Sequence, residues 1–359
     1  MTKTAACLKI PKNQGEKAIV QLYRLDLIDK TLGVKRVDET LYIPLMRQPA
    51  IAETFQLKEN LLSFEISEEV FEEKKKTAGT LKQILRGKLP SDLHAVIPQA
   101  FDIIGDIVII EIPQSLKAYQ NLIGEGILKT HKNIKTVLAK AGDINGVYRI
   151  RDYTFIAGEQ KTQTIHHEFG CKYHVDVAKA YFSPRLSHEH ERVASLVNPG
   201  EIVVDLFAGV GPFSVLIGKR CPQAKVYAVD LNPDAVELLK LNVRANRVDN
   251  RVFPLCADAR QIATGKLKGV ADRVIMNLPE TAIDFVDAAC NIVKEQGGLV
   301  HFYGFVRSPD SVEKIKDRLS EEAERNGRSV TDFLFAKSIR ETAPFESQIV
   351  LDIKIANTT

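Results

Sequence analysis

The sequence predicts an α/β chain whose C-terminal half is built on a mostly parallel sheet. Three observations carry this. Apolar runs at Val203-Val204-Asp205, Val226-Tyr227-Ala228-Val229-Asp230 and Val252 to Asp258 each end in an acid. Helical patterns separate the runs, and strands that alternate with helices pair in parallel. The first run leads into a glycine-rich turn, Leu206-Phe207-Ala208-Gly209-Val210-Gly211-Pro212-Phe213, before its helix. Glycine there lets the backbone turn sharply and lets a ligand approach without a Cβ in the way.

Taken in order, residues 1–66 read as a small α+β unit. Leu8-Lys9-Ile10 and Thr40 to Leu45 are strand-like, and Gln14 to Asp26 is helical. Residues 67–78 read as a charged linker, because Glu68 to Lys76 is dense in Glu and Lys and suits an exposed helix or a connector. Residues 79–183 form a second α+β unit. It opens on a buried strand at Asp102 to Ile112, continues through a mostly helical Gln120 to Lys140, and ends in strand-rich Val147 to Ile156 and Gln163 to Val177. Residues 184–359 form the Rossmann-like unit, entered through a helix at Glu189 to Leu196. A fourth strand lies at Ala271 to Met276. Two strand-like runs in Lys337 to Ile355, broken at Ala343-Pro344, predict an antiparallel hairpin that closes the sheet.

Composition narrows the class. The 359 residues are 45% hydrophobic, enough for cores in more than one domain. There is no apolar run long enough to span a membrane and no signal-peptide pattern at Met1 to Ile10. Five scattered cysteines without a Cys-x-x-Cys pair point to a reduced, cytoplasmic protein without a zinc ribbon. Net charge is only +3, but residues 74–185 hold 17 Lys and Arg against 10 Asp and Glu. Such a basic middle is the footprint of a polyanion partner; a solvated lysine-rich surface gives the same count.

The acids and glycines point to a nucleoside cofactor. An acid at the end of the second strand accepts ribose hydroxyls, which is the place of Asp230. Asp258, with the backbone of Ala259, suits the adenine amine. A dinucleotide fingerprint needs a third glycine where this chain has Ser214, and Asp205 would repel a pyrophosphate. The same acid suits a cationic methionine, so the turn resembles the first motif of class I S-adenosylmethionine-dependent methyltransferases. Phe207, Gly209, Gly211 and Leu231 complete the cofactor set with Asn277. That asparagine opens Asn277-Leu278-Pro279-Glu280 after the fourth strand. Its amide both donates and accepts, which suits a nucleobase edge. The turn lacks the second proline and the aromatic of amino-group methylases, so exocyclic amine methylation is not expected. No metal site is expected, because position 192 is Arg and His-Glu-x-x-His is not completed; Mg²⁺ could enter through an RNA.

Together with Gly146 to Arg151, Ile156-Ala157-Gly158-Glu159 and Tyr181-Phe182-Ser183-Pro184-Arg185-Leu186 followed by Glu189, these motifs closely resemble the archaeal and eukaryotic tRNA (guanine-N1)-methyltransferases over nearly the whole chain. The resemblance implies S-adenosylmethionine as methyl donor and tRNA as partner, with the guanosine 3′ of the anticodon methylated at N1. It implies an elbow-recognising N-terminal domain and a middle domain that helps grip the anticodon stem-loop. It makes Glu189 the base for the N1 proton and Arg149 the cation that stabilises charge on O6. Asn277 would hold the guanine edge, Pro279 shape the turn, and Tyr181 place the base or the donor. Arg151 and Arg185 are candidate RNA contacts, and Arg185 could equally be structural. His188 and His190 depart from the family pattern beside Glu189. Two other readings stand beside this one. A wyosine-pathway relative would transfer a methyl or aminocarboxypropyl group to a modified guanosine. A non-catalytic RNA-binding scaffold would have lost Asp205, the glycines or Asn277, and all are present. A monomer without an obligate protein partner is expected, since the domains already supply an RNA-sized surface.

Overall fold

The chain divides after Ile84 into two units, and the computed structural model describes residues 2–73, 79–142, 146 and 148–358. In the first unit, β1 (Thr2–Pro11) is central. The sheet order is β2 (Lys35–Val37), β3 (Thr40–Pro44), β1, β4 (Glu65–Glu72), all antiparallel, with helices α1 (Gly15–Arg24) and α2 (Ile51–Asn60). Leu8, Ile10, Leu22, Ile43 and Leu57 form its core. The stretch expected as a linker or exposed helix is therefore strand β4 up to Glu72. Its residues alternate, with Phe71 buried and Glu68 and Glu72 turned outward. Charged side chains on the open face of an edge strand keep it from pairing further, which explains a composition that reads as a linker. Lys74 to Ala78 lie outside the described residues, as does Val147 of the Gly146 to Arg151 motif.

The short helix α3 (Leu81–Leu85) crosses the boundary. The second unit opens with a four-stranded sheet ordered β5 (Asp102–Ile104), β6 (Ile107–Ile110), β7 (Thr136–Lys140), β8 (Tyr153–Gly158). Asp102 to Ile112 is thus a hairpin rather than one strand, because Gly105 turns the chain with φ 56°. Helix α4 (Gln120–Thr130) stops short of the expected Lys140. The β-branched run around Thr136-Val137 becomes β7, buried between β6 and β8.

Hairpin β9 (Gln163–Glu168) and β10 (Cys171–Asp176) turns through Phe169 and Gly170, both at positive φ, the geometry that matches strand twist. Cys171, Tyr173 and Val175 sink into the same core as Val193, Phe213 and Leu239. Asn242 ties the hairpin down, accepting from His174 N at 2.6 Å and donating to His174 O at 3.1 Å. The hairpin was expected to belong with the middle domain, yet it packs on the following one, and Ile107 and Leu138 join that core too.

That following layer is a seven-stranded sheet ordered β13-β12-β11-β14-β15-β17-β16. Its strands are β11 (Ile202–Asp205), β12 (Lys225–Asp230), β13 (Val252–Cys256), β14 (Arg273–Met276), β15 (Gly298–Arg307), β16 (Arg328–Ala343) and β17 (Glu346–Asn357). The first five run parallel, and β17 is antiparallel to both neighbours, so the expected closing hairpin is present. Helices α5 (Ser187–Leu196), α6 (Pro212–Arg220), α7 (Pro233–Ala245), α8 (Ala259–Thr264), α9 (Val286–Ile292) and α10 (Val312–Arg325) connect and flank the strands. In α10, Ile315, Leu319 and Ala323 recur every four residues as one buried stripe, and the Ser311 side chain caps its first turn. Burying each large side chain of such a stripe contributes roughly 1.5–3 kcal/mol. Among the described residues no helix is long and apolar enough to cross a membrane.

Gly211 shows how tightly the turn after β11 is built. It stands at φ 90°, and a Cβ there would lie 2.2 Å from Leu239 Cδ1. Gly211→Ala is expected to cost about 2–4 kcal/mol of stability, combining left-handed strain with overpacking. An unchanged denaturant midpoint would remove this account of the turn.

Candidate active site

The strand order reverses between β11 and β14, and ligands of open α/β sheets bind at the carboxyl ends of strands beside such a switch. A cavity of about 170 Å³ opens there. Phe207 and Gly209 after β11, Asp230 and Leu231 after β12, Asp258 and Ala259 after β13, and Asn277 and Pro279 after β14 all line it. Arg149 and Tyr181 form part of the same wall, with the Arg149 guanidinium 5.7 Å from the Tyr181 ring centre.

Asp230 accepts Gly209 N at 2.6 Å and Asn232 N at 2.9 Å. Burial raises its pKa, and those amides pull it back. Asp258 caps α8 by accepting the amides of Arg260 and Gln261 at 2.9 and 3.1 Å, both on Oδ1. Oδ2 is thereby left for an outside donor. The buried Asn277 Oδ1 has no partner among the described residues. An unpaired buried acceptor costs about 1–3 kcal/mol, so a ligand donor would relieve it. Phe207 packs edge-on against Phe285, with ring centres 5.1 Å apart.

Asp205 and Gly211 do not reach the cavity wall. Asp205 lies fully buried under the loop, accepts Ser214 Oγ at 2.7 Å on Oδ2, and leaves Oδ1 unpartnered. Burial pushes its pKa to about 7, with Asp230 adding to the rise and Ser214 opposing it. A cation above the loop would favour the ionised form. The glycine turn, the free acceptors of Asp258 and Asn277, and this uncompensated acid fit the adenosine and cationic methionine parts of S-adenosylmethionine.

Glu189 also stands behind the wall. Its Oε2 accepts Arg192 Nε at 2.9 Å and the Tyr303 hydroxyl at 3.0 Å. The neighbouring His190 does line the cavity, and its Nδ1 sits 2.7 Å from Glu168 Oε1. Burial raises Glu168, but the hydrogen-bonded His190 and the nearby His166 outweigh it and hold the carboxyl at about 2. Arg185 forms a two-pronged ion pair with Asp102 of β5, which fixes the Ser-Pro-Arg-Leu turn to the middle sheet. Arg151 and Arg185 both line an adjoining cavity that also holds Arg149 and Glu280.

Sequence reasoning missed several residues of this region. Glu280 binds Arg149 across 131 positions, at 2.9 and 3.0 Å. Phe305, Arg340 and Gln348 reach the cavity from the C-terminal strands, with Arg340 Nε 2.9 Å from Gln348 Oε1. No local spacing marks them, because only the pairing of β15, β17 and β16 brings them to the site. Among the described residues, no cluster of His, Cys, Asp and Glu could hold a metal ion.

The raised pKa of Asp205 has a consequence for stability. Its carboxyl stays protonated in the folded chain up to about pH 7 but ionises near pH 4 when unfolded. The folded state therefore binds the extra proton across that window, and stability from this group falls as pH rises from about 4 to 7. Asp205→Asn is expected to flatten that loss, by roughly 4 kcal/mol at most. Urea midpoints across pH 4–8 measure it, and identical pH dependence in the variant and the parent would contradict it.

The TRM5/TYW2 methyltransferase domain matches residues 164–331, the TYW2 N-terminal domain 81–162 and the tRNA methyltransferase 5 N-terminal domain 7–53. The chain is 38% identical to tRNA (guanine(37)-N(1))-methyltransferase Trm5b of Pyrococcus abyssi, over 97% of this chain and 98% of that one. It is 34% identical to a tRNA(Phe) (4-demethylwyosine(37)-C(7)) aminocarboxypropyltransferase of Methanocaldococcus jannaschii, over 70% of this chain and 96% of that one. The solved complex of aTrm5 with tRNALeu superposes with a TM-score of 0.67 at 33% identity, covering 97% of this chain and 99% of that one. The chain belongs to the TRM5/TYW2 family, within its S-adenosylmethionine-dependent tRNA (guanine-N1)-methyltransferases.

Proposed function

We propose that this protein methylates N1 of the guanosine immediately 3′ of the anticodon in tRNA. The observation that carries it is one cavity lined by two kinds of group. Nucleoside-binding strand ends line it together with Arg149, Tyr181 and the unpaired Asn277 oxygen. S-adenosylmethionine, held by Asp230, Asp258 and the glycine turn, supplies an electrophilic methyl group. Guanine N1 carries a proton that must leave as the methyl arrives, so a carboxylate is needed, and Glu189 is that base. Arg149 stabilises the charge that grows on O6 as the proton leaves. To do so it exchanges Glu280, a half-exposed carboxylate, for the base. Asn277 accepts from the guanine amino edge, Pro279 shapes the turn that holds it, and Tyr181 packs the base in place. The guanosine leaves a single-stranded loop, which costs little unstacking.

Arg151 and the half-exposed Arg185 offer cations to the RNA backbone beside the cavity. The N-terminal unit, closed by β4 up to Glu72, serves as a tRNA-recognition domain, and the sheet from β5 to β8 belongs to the RNA-gripping part. The protein works as a cytoplasmic monomer, without an obligate protein partner and without a protein-bound metal; any Mg²⁺ comes with the RNA.

The aminocarboxypropyl relative covers only 70% of this chain. Together with the match of residues 7–53 to the tRNA methyltransferase 5 N-terminal domain, this favours the N1 reading over a wyosine-pathway role. Methyl transfer from labelled S-adenosylmethionine to an unmodified transcript with guanosine 3′ of the anticodon should give N1-methylguanosine, and the adenosine-substituted transcript should give none. Glu189→Gln should lower turnover by a factor of 10² to 10⁴ with cofactor binding kept. Product absent from both transcripts, with the cofactor bound, would shift the reading to a wyosine precursor as substrate. Parent-like turnover of Glu189→Gln would remove Glu189 as the base.

A further inference from the structure

Behind the cavity a line of largely buried polar groups leads to Glu189. Glu201 accepts Arg273 Nε at 2.8 Å and Nη2 at 3.0 Å. Arg273 Nη1 lies 2.8 Å from His301 Nε2. A guanidinium only donates, so His301 Nε2 accepts, and the neutral ring carries its proton on Nδ1. That proton faces Asp352 Oδ1 at 2.6 Å. Asp352 also accepts Arg192 Nη1 at 2.6 Å and Nη2 at 3.1 Å. Arg192 Nε then reaches Glu189 Oε2, which the Tyr303 hydroxyl shares. Arg273, His301, Asp352, Glu189 and Tyr303 are all buried.

The charges are ordered as well as close. Burial raises Asp352, yet its bonds from His301 and Arg192 prevail and hold it at about 2. Burial lowers His301 against the pull of Asp352, in keeping with the neutral ring. The Arg192 guanidinium lies 4.4 Å from the Phe335 ring centre, which fixes its plane. Among the described residues, every hydrogen bond to Glu189 falls on Oε2. The groups facing it are Arg192 on its own helix, Tyr303 from β15 and, through Arg192, Asp352 from β17. His190 on the same helix turns to Glu168 of β9 instead.

We propose that Tyr303 and Arg192 are positioning residues for the Glu189 base, fixing Oε2 and leaving Oε1 to receive the N1 proton, while Asp352 divides the charge of Arg192. This rests on the reading of Glu189 as the base. A carboxylate paired with an undivided buried cation is a weak base, because the cation holds it ionised. A second carboxylate on the same guanidinium returns part of that basicity, and His301 keeps Asp352 in register for the task.

The test is the pH profile of single-turnover methyl transfer to the guanosine transcript in Tyr303→Phe and Asp352→Asn. Tyr303→Phe removes one donor from the ionised base. Its rate should fall roughly tenfold, and its acid limb should move up by about one pH unit. Asp352→Asn leaves Arg192 wholly to Glu189, so its acid limb should move down. Binding of S-adenosylmethionine should stay unchanged in both. Opposite shifts support the proposal, because general loosening of the core would not separate the two variants by sign. Unmoved limbs, or shifts in one direction, overturn it. If Asp352→Asn does not fold, an unmoved limb in Tyr303→Phe alone overturns it and an upward shift supports it. Glu189→Gln separates the two levels. Parent-like turnover there ends the base reading itself, whereas an inactive Glu189→Gln with unmoved limbs ends only the positioning proposal.

Discussion

The site depends on the reversal of strand order between β11 and β14. In a parallel sheet, crossovers from neighbouring strands leave on opposite faces at such a point, and the strand ends between them stay uncovered. Everything placed there must be polar enough to meet a ligand, yet it is rooted in strands buried on both faces. The result is a set of carboxylates and one amide held in place by backbone amides and helix caps. Asp230 is gripped by the Gly209 amide, Asp258 serves as the cap of α8, and Asp205 is sealed beneath the loop, where Ser214 donates to it. Their differences follow from depth. The most buried of them, Asp205, has its pKa pushed up to about 7 by burial.

Cations beside the cavity are held by carboxylates in turn. Arg149 sits at φ 55°, an unusual backbone region for a non-glycine residue, which aims its side chain across the cavity mouth at Glu280. That pair is partly solvated, and such pairs contribute only about 0–1 kcal/mol. Exchanging Glu280 for another negative group would therefore meet little resistance. Arg185 is held differently, by a two-pronged bond to Asp102, and so stiffens the junction between the middle sheet and the helix that carries Glu189.

What was legible in the sequence was what has local period or local chemistry. The acids of β11, β12 and the turn after β13 were findable because each ends an apolar run, and the C-terminal hairpin because Ala343-Pro344 interrupts two alternating runs. Strand β4 was not, because its outward glutamates mask an alternation that only Phe71 and its pairing with β1 reveal. Strand β7 was absorbed into a helix because no proline separates it from the run that begins at Gln120. Within the site, Tyr303, Asp352 and Glu280 were invisible as partners, because the fold sets them against Glu189, Arg192 and Arg149 across 114, 160 and 131 positions. Resemblance named Glu189 but said nothing of what holds it.

The chemistry of guanine N1 explains why a base of this kind would be kept behind the wall. Its proton is shed weakly in water, so a carboxylate exposed to solvent would be too feeble an acceptor and would be screened. A buried carboxylate is a stronger base, but burial alone would leave it protonated and useless as an acceptor. A single buried cation would correct this too far. Glu189 carries both Tyr303 and a shared Arg192 on one oxygen. The sharing is possible only because β17 runs antiparallel beside β15 and brings Asp352 opposite His301. The hairpin that closes the sheet thus has a second role, since it completes the electrostatic surroundings of a residue on helix α5.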